Sequence, residues 1–479
     1  MDALSLRLAG GTILVVPPSL EAITTYVLLE QEKWFEKEVI FLDAWLRPGM
    51  CVIDIGAHLG VYAVSAARKV GPGGHVYAYE PAAEARSYLR RSVEANGLTN
   101  LDILPAALSD TPRYGFLFHG GSGELHSLGG RGTGENISIT SLDADDNIRD
   151  WPSPDLVKID AEGEEVRIVK GAQAFFSRHS PLVMFEIKAG DKPSLDLLPY
   201  LEALGYRVFR ALGGSPLLVP FDANAPLDIF ELNLFAAKAD RVAHLAAEGL
   251  LVNSIPKWIP DEAARTKALE APHRFAYADA FTGLFEKHTP LDPLYRDALA
   301  GLAAWKDAAL PLNERHAALE FSEQTLARLC ETRPTLARLS TLARASWETG
   351  RRIHTVNALY AFSAILQRGS RTLDEPFWPA NPRFDAIDPG KNQQDWFFGG
   401  TLEQLVLAER FSSLYGPAPV NLAWLETLAF TSAEISRRRM LDALRAGQTF
   451  VVPERLKADA ADHLNAEIWR AGTPPLGLS

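Results

Sequence analysis

The sequence predicts an α/β domain built on a mostly parallel sheet with helices on both faces, followed by an all-α domain. Three observations carry this expectation. From about Met50 to Lys238, short β-rich runs alternate with helical patterns. Several of those runs are continuously apolar, as strands buried on both faces of a parallel sheet must be. After about Asp240 the strand patterns give way to Ala, Leu, Arg and Glu at helical spacing.

The strands are expected at Val52–Ile55, His75–Tyr79, Leu101–Pro105, Leu156–Ile159, Leu182–Ile187, Tyr206–Arg210 and Ile229–Ala236. Between them, Val61–Val70, Ala83–Asn96, Glu164–Arg178 and Leu195–Leu204 read as helices. Asn96-Gly97 and Gly205 are C-terminal stops, and Glu164–Arg178 opens with acids and closes with bases, which suits the helix dipole. Before the first strand, Phe35, Val39, Leu42 and Leu46 share one helical face that should pack on the sheet. The glycine-rich stretch Thr111–Leu142, with His119 and His126, interrupts the alternation. It reads as hairpin and loop inserted beside the ligand end of the sheet, a candidate substrate lid.

In the second half, Thr335–Thr349 and Ile353–Arg368 form a helical hairpin across Gly350-Arg351-Arg352, resembling a single tetratricopeptide-like unit without a second copy. Pro376–Asp395 reads as a loop, and helices resume at Trp396. A chain of 479 residues is long for one core. The expected division is 1–240 for the sheet domain and 241–479 for a helical domain that binds acceptor, a protein partner or a second copy.

Composition excludes several classes. The formal net charge is −12 without a basic stripe, which argues against nucleic acid as a partner. Cys51 and Cys330 are too few and too far apart for a disulfide framework or a thiolate metal site. The first residues lack a basic-then-apolar leader and no apolar run is long enough to span a bilayer, so a cytoplasmic location is expected.

The chemistry concentrates in Cys51–Gly60, CVIDIGAHLG, which runs from a strand through a glycine turn into a helix. Gly56 lets a ligand approach the backbone and Gly60 lets helix and strand pack. The Gly-x-x-x-Gly spacing differs from the Gly-x-Gly-x-x-Gly that suits a dinucleotide pyrophosphate. Glu80, before Pro81 at the tip of the second strand, stands where an acid accepts hydrogen bonds from a ribose diol. Ala106 and Ala107 offer small residues beside an adenine. Asp54 is placed to hold the loop or the charged end of a cofactor, with Ala57 and His58 in the loop itself.

Together with Ser141-Leu142-Asp143, Gly171-Ala172, Phe185-Glu186 and the run Leu156–Glu165 (LVKIDAEGEE), these residues make the region about Trp34 to Ala237 resemble the FkbM family of S-adenosylmethionine-dependent methyltransferases. The resemblance implies a seven-stranded Rossmann-like methyltransferase sheet with a reversed last hairpin, and O-methylation of saccharide or polyketide hydroxyls. The cofactor residues it implies are Asp54, Gly56, Ala57, His58, Gly60, Glu80, Pro81, Ala106 and Ala107. Asp160, Glu162 and Glu186 are the catalytic candidates, because methyl transfer to oxygen needs an aligned hydroxyl and a proton acceptor. The same three acids are a conceivable Mg²⁺ set, but sugar binding asks for the same groups, so a metal is not favoured. The expected function is methylation of a sugar, glycan or glycosylated natural-product precursor. The alternatives are metal-assisted methylation of a polyketide or peptide, and a non-catalytic cofactor-binding scaffold.

Overall fold

In the computed structural model the described residues are 3–119, 126–128, 133–149, 151–189, 192–286, 291–416 and 421–471. The main sheet has eight strands: β1 (Cys51–Ile55), β2 (His75–Tyr79), β3 (Leu101–Leu104), β4 (Leu156–Ile159), β5 (Leu182–Glu186), β6 (Arg207–Ala211), β7 (Leu218–Pro220) and β8 (Asn233–Ala237). Their spatial order is β7-β6-β8-β5-β4-β1-β2-β3. The five strands from β5 to β3 run parallel, and β8 enters antiparallel between β5 and β6. The expected reversed hairpin is therefore present, and β7 adds an eighth strand at the edge beyond the expected seven. Every residue of β1 and β4 is buried, which is why both read as unbroken apolar runs apart from one charge each, Asp54 and Lys158.

Helices Val61–Val70 and Ala83–Ala95 cover one face, and Glu165–Lys170, Gln173–Arg178 and Leu198–Ala203 the other. The helix expected over Glu164–Arg178 is instead two, Glu165–Lys170 and Gln173–Arg178, parted at Gly171. A Cβ there would lie 2.4 Å from the Ser109 carbonyl oxygen. The last expected strand is shortened to Asn233–Ala237 because Asp228 turns the preceding chain, accepting from the Phe230 N–H at 3.0 Å. Before β1 the helix is Glu38–Trp45, and its buried residues are Glu38, Phe41, Leu42 and Trp45. Phe35 precedes it, so the apolar face expected from Phe35 to Leu46 is displaced.

The insert after β3 is a second, four-stranded sheet. Arg113–His119 pairs antiparallel with Gly134–Thr140 and with His126–Ser127, and Ala106–Leu108 joins in parallel through Ser138–Thr140. Of the expected lid, residues 120–125 and 129–132 lie outside the described residues.

The second half is helical among its described residues, apart from an isolated bridge at Leu251 and another at Ala460–His463. Leu336–Glu348 and Arg352–Gln367 form the expected hairpin. Pro376–Asp395 departs from the expected loop: it contains a 3-10 turn, Pro382–Ala386, and buries Phe377 and Trp378 completely. Phe377 packs against Tyr277, Phe281 and Phe397 and Trp378 against Phe275, so apolar burial overrides the turn-like composition.

A hairpin of Leu4–Arg7 and Ile13–Val16, with the helix Ile23–Gln31, shares one apolar core with Ala433–Arg445 and Ala466–Arg470. Glu30, fully buried, meets Arg438 at 2.9 Å, and Glu32 meets Arg437 at 3.3 Å.

Candidate active site

The turn after β1 is shaped by contacts that exclude side chains. Gly56 has φ +78°, and a Cβ on it would stand 1.8 Å from the Asp160 carbonyl oxygen. The Gly56 and Ala57 N–H groups both donate to the Tyr79 carbonyl at 3.0 Å, which ties the loop to β2. His58 also takes a left-handed conformation, φ 48°. Gly60, φ +91°, begins the next helix, where a Cβ would lie 2.3 Å from Leu89 Cδ1.

Glu80 locks this loop from the tip of β2. One carboxylate oxygen accepts from the His58 N–H at 2.8 Å and the other from the Ala82 N–H at 2.7 Å. Burial nevertheless wins over these two bonds and pushes its pKa up to about 7. Pro81 follows at the half-buried start of the next helix. The insert reaches the same corner, where Glu135 accepts from the Ala83 N–H at 2.9 Å. Ala106 and Ala107 are drawn into the insert's sheet, Ala107 being buried in the core.

The β4–β1 register places Lys158 opposite Asp54, and side-chain alternation puts Asp160 on the same face as Lys158. The Lys158 ammonium donates to Asp160 at 2.8 Å and lies 3.6 Å from Asp54. It also sits 5.1 Å from the centre of the Tyr62 ring. Burial opposes its charge, but Asp160 and Asp54 outweigh that and hold its pKa above the ordinary value. Asp54 has no hydrogen-bond partner among the described residues, and burial raises its pKa against the pull of Lys158.

Glu186, at the end of β5, is pushed up to about 10 by burial and by Asp160, Glu162, Glu165 and Glu36. Glu162 is exposed, with φ 51°, on the turn after Asp160. Glu165 stitches that turn by accepting from the Ala161 and Gly163 N–H groups at 3.0 and 3.1 Å.

The predicted residues Asp54, Gly56, Asp160 and Glu186 thus gather at one end of the sheet, with His58 and Glu80 one strand away. Sequence reading quoted Lys158 only within the family run, without a role in the site, and missed Glu36, Tyr62 and Asn233. Glu36 accepts from the Tyr62 hydroxyl and from Asn233 Nδ2, the latter at 3.0 Å. Lys158 had a signal, a lysine inside an otherwise apolar strand. Glu36 had none, because only the fold brings it to the sheet. Among the described residues no group of three or more His, Cys, Asp or Glu side chains is arranged to hold a metal ion. No helix among them is long and apolar enough to cross a membrane.

An α/β sheet with a glycine loop after β1 and an acid at the tip of β2 is the architecture of nucleotide-cofactor enzymes. Residues 54–208 match the family model of the methyltransferase FkbM domain, so this part of the chain is a methyltransferase domain of that family. No curated protein matches the chain. The solved structures similar to it include three methyltransferases. The methyltransferase FkbM of Methylobacillus flagellatus KT is 19% identical over 43% of this chain and 48% of its own, with a TM-score of 0.30. The S-adenosylmethionine-dependent O-methyltransferase of Thermotoga maritima is 17% identical over 49% and 77%, with a TM-score of 0.27. A SAM-dependent methyltransferase of Aquifex aeolicus is 16% identical over 44% and 90%, with a TM-score of 0.26. The match spans about half the length of the first of these structures.

Proposed function

We propose that the protein is a cytoplasmic S-adenosylmethionine-dependent O-methyltransferase that methylates a hydroxyl of a sugar, glycan or glycosylated natural-product precursor. One observation carries this reading: the Gly56–Gly60 loop, the Glu80 tip and the acids Asp54, Asp160 and Glu186 stand at one end of a single sheet. The match of residues 54–208 supports it.

The donor set fits S-adenosylmethionine, which supplies a methyl group on a positively charged sulfur. Glu80 has lone pairs left after its two backbone bonds, enough to accept from a ribose diol. Asp54 has two buried oxygens beyond hydrogen-bond distance of their ion-pair partner Lys158, at 3.6 Å, and so able to accept from a second ammonium. The loop from Gly56 to Gly60, with Ala57 and His58, holds the cofactor's amino-acid end. Pro81, Ala106 and Ala107 flank its base.

Asp160, Glu162 and Glu186 then surround the acceptor. Asp160, anchored by Lys158, and Glu186 orient the hydroxyl through hydrogen bonds. Residues 1–240 form the catalytic unit and 241–479 contribute to acceptor or partner binding.

Calorimetry with S-adenosylhomocysteine and with NAD tests the cofactor assignment directly. Micromolar binding of the former without the latter is expected; the reverse would overturn it. Asp160→Asn should lower turnover while leaving cofactor affinity nearly unchanged.

A further inference from the structure

We propose that the cavity between the Lys33–Leu46 segment and the helical half is a binding site for a small monocarboxylate with an apolar, ring-sized body, and that Arg352 holds the carboxylate. The site does not depend on the methyltransferase reading.

The cavity holds about 840 Å³, within the usual range of small-molecule sites, and both halves of the chain line it. None of Gly56–Gly60, Glu80, Asp160, Glu162 and Glu186 is among its lining residues, so it is not the cleft at the cofactor loop. The helical half meets it with four arginines, three of them already matched. Arg437 pairs with Glu32 at 3.3 Å, Arg438 with Glu434 at 2.8 Å and Arg383 with Glu403 at 2.9 Å.

Arg352 is the fourth, and among the described residues no carboxylate lies within ion-pair distance of it. Arg351 beside it differs, being paired with both Glu323 and Glu320. Gly350, at φ +72°, turns the chain between Leu336–Glu348 and Arg352–Gln367, and this brings Arg352 to the carbonyl end of the helix Gln393–Ala408. Its Nε donates to the Ala408 carbonyl at 2.7 Å, and Nη2 to those of Arg410 and Leu407 at 2.6 and 3.3 Å. Nη1 makes no hydrogen bond among the described residues and is left for a ligand.

The charge on this guanidinium is only partly met. The carbonyl end of a helix supplies roughly half an elementary charge. Asp228 acts from beyond ion-pair distance, its two oxygens taken by the N–H groups of Phe230 and Ile353 at 3.0 and 2.9 Å. Burial and the nearby Arg438 outweigh Asp228 and push Arg352 down to about 10. An anion on Nη1 relieves that cost through a charge-assisted hydrogen bond. The unmet charge does not exceed one, which a carboxylate matches; a dianionic phosphate would bring a second charge without a counter-ion.

The body of the ligand follows from the wall beside Arg352, a row of four rings. Trp34 and Phe35 stand 4.6 Å apart, Phe35 and Phe411 5.1 Å, and Phe411 and Phe230 5.4 Å. All four line the cavity and remain only partly buried. Arg352 lies over Phe230 and Phe411 at 4.4 and 4.7 Å, so cation and ring faces form one corner. A carboxylate there leaves the group it carries against the rings. Gln404 also lines the cavity, and its buried Nε2 is without a partner among the described residues, a donor for a further oxygen of the ligand. Glu36 and Asp54 stand with Lys158 on the sheet side, which turns the carboxylate away from them and towards Arg352.

The test is calorimetry on the full chain without S-adenosylmethionine. The probes are phenylacetate, 3-phenylpropionate, the neutral amide of each, and phenyl phosphate. At least one carboxylate should bind with a submillimolar Kd, about tenfold or more tighter than its amide, and tighter than phenyl phosphate. Arg352→Met should abolish the preference for acid over amide, and Arg352→Lys, which keeps the charge, should retain it in part. Phe411→Ala should weaken acid and amide alike, by about five- to tenfold. A melting temperature close to that of the unsubstituted chain shows that a variant is folded; if Arg352→Met is not, the acid–amide comparison in the unsubstituted chain and in Arg352→Lys decides. Equal binding of acid and amide, a preference that survives Arg352→Met, tighter binding of phenyl phosphate, or no carboxylate bound below about 10 mM would overturn the proposal.

Discussion

Replacing Lys158 by Met removes the only ammonium that faces both Asp54 and Asp160 among the described residues, and its cost can be worked from burial. The lysine side chain is 5% exposed and that of Asp54 2%, whereas Asp160 is 31% exposed. Water can therefore compensate Asp160 in part, and the penalty falls on Asp54. Leaving a buried charge without its partner costs roughly 3–5 kcal/mol. At about 2–4 °C per kcal/mol for a domain of this size, the variant should melt roughly 6–20 °C lower at pH 8. The sign of the pH dependence follows from Asp54. Its pKa is already raised in the folded protein, and loss of Lys158 raises it further. Such a group favours folding when protonated, and that contribution is lost as pH rises through the folded pKa. The deficit should thus be smaller at acid pH and grow as pH rises. Thermal unfolding followed by tryptophan fluorescence over a series of pH values measures it, and Asp54→Asn in the Lys158→Met background should restore most of the loss. A drop below about 2 °C at pH 8, or one independent of pH, would refute the reasoning.

Three further outcomes follow from the same geometry. Gly56→Ala should abolish calorimetric binding of S-adenosylhomocysteine, since its Cβ meets the Asp160 carbonyl and φ +78° alone costs about 1–2 kcal/mol; unchanged affinity would show that the loop takes no part. Because Glu80 titrates near 7, S-adenosylhomocysteine affinity should rise about tenfold from pH 6 to pH 8 as the carboxylate ionises, and Glu80→Gln should flatten that profile. Gly171→Ala should destabilise the fold measurably in urea titration, because the Ser109 carbonyl must move or the junction of the two short helices must open.

The sheet was largely legible because parallel strands buried on both faces leave unbroken apolar runs, and the bounds of β2 and β4 follow from them to the residue. Glycines with fixed spacing marked the loop for the same reason, since only φ beyond the reach of other residues permits it. What escaped depends on distant contacts. Gly171 looked like a residue inside one helix, yet two short helices part at it beside the Ser109 carbonyl. Phe377 and Trp378 sat in a Pro- and Asp-rich stretch that composition assigns to a loop, yet aromatic packing buries them. Glu36 has no motif around it, and its place beside Tyr62 and Asn233 arises from a segment that precedes the sheet by 15 residues.

The closing residues of the chain bear on the fold of its beginning. Met440, Leu441, Ile468 and Trp469 are all buried in the core that holds Leu6, Leu14 and Tyr26. Each such side chain contributes about 1.5–3 kcal/mol when buried, so the four together give roughly 6–12 kcal/mol. That is comparable to the whole net stability of a typical domain, about 5–15 kcal/mol. A chain ending at Thr431 should therefore lose the order of its first 31 residues and expose an apolar face prone to association. Limited proteolysis should cut it between Leu4 and Gln31 while the sheet from Cys51 onward resists longer. The charged contacts of Arg437 with Glu32 and of Arg438 with Glu30 fix which segments meet, whereas the apolar contacts supply most of the free energy. Equal protease resistance of the shortened and full chains would show that the first strands hold their place without the last helices.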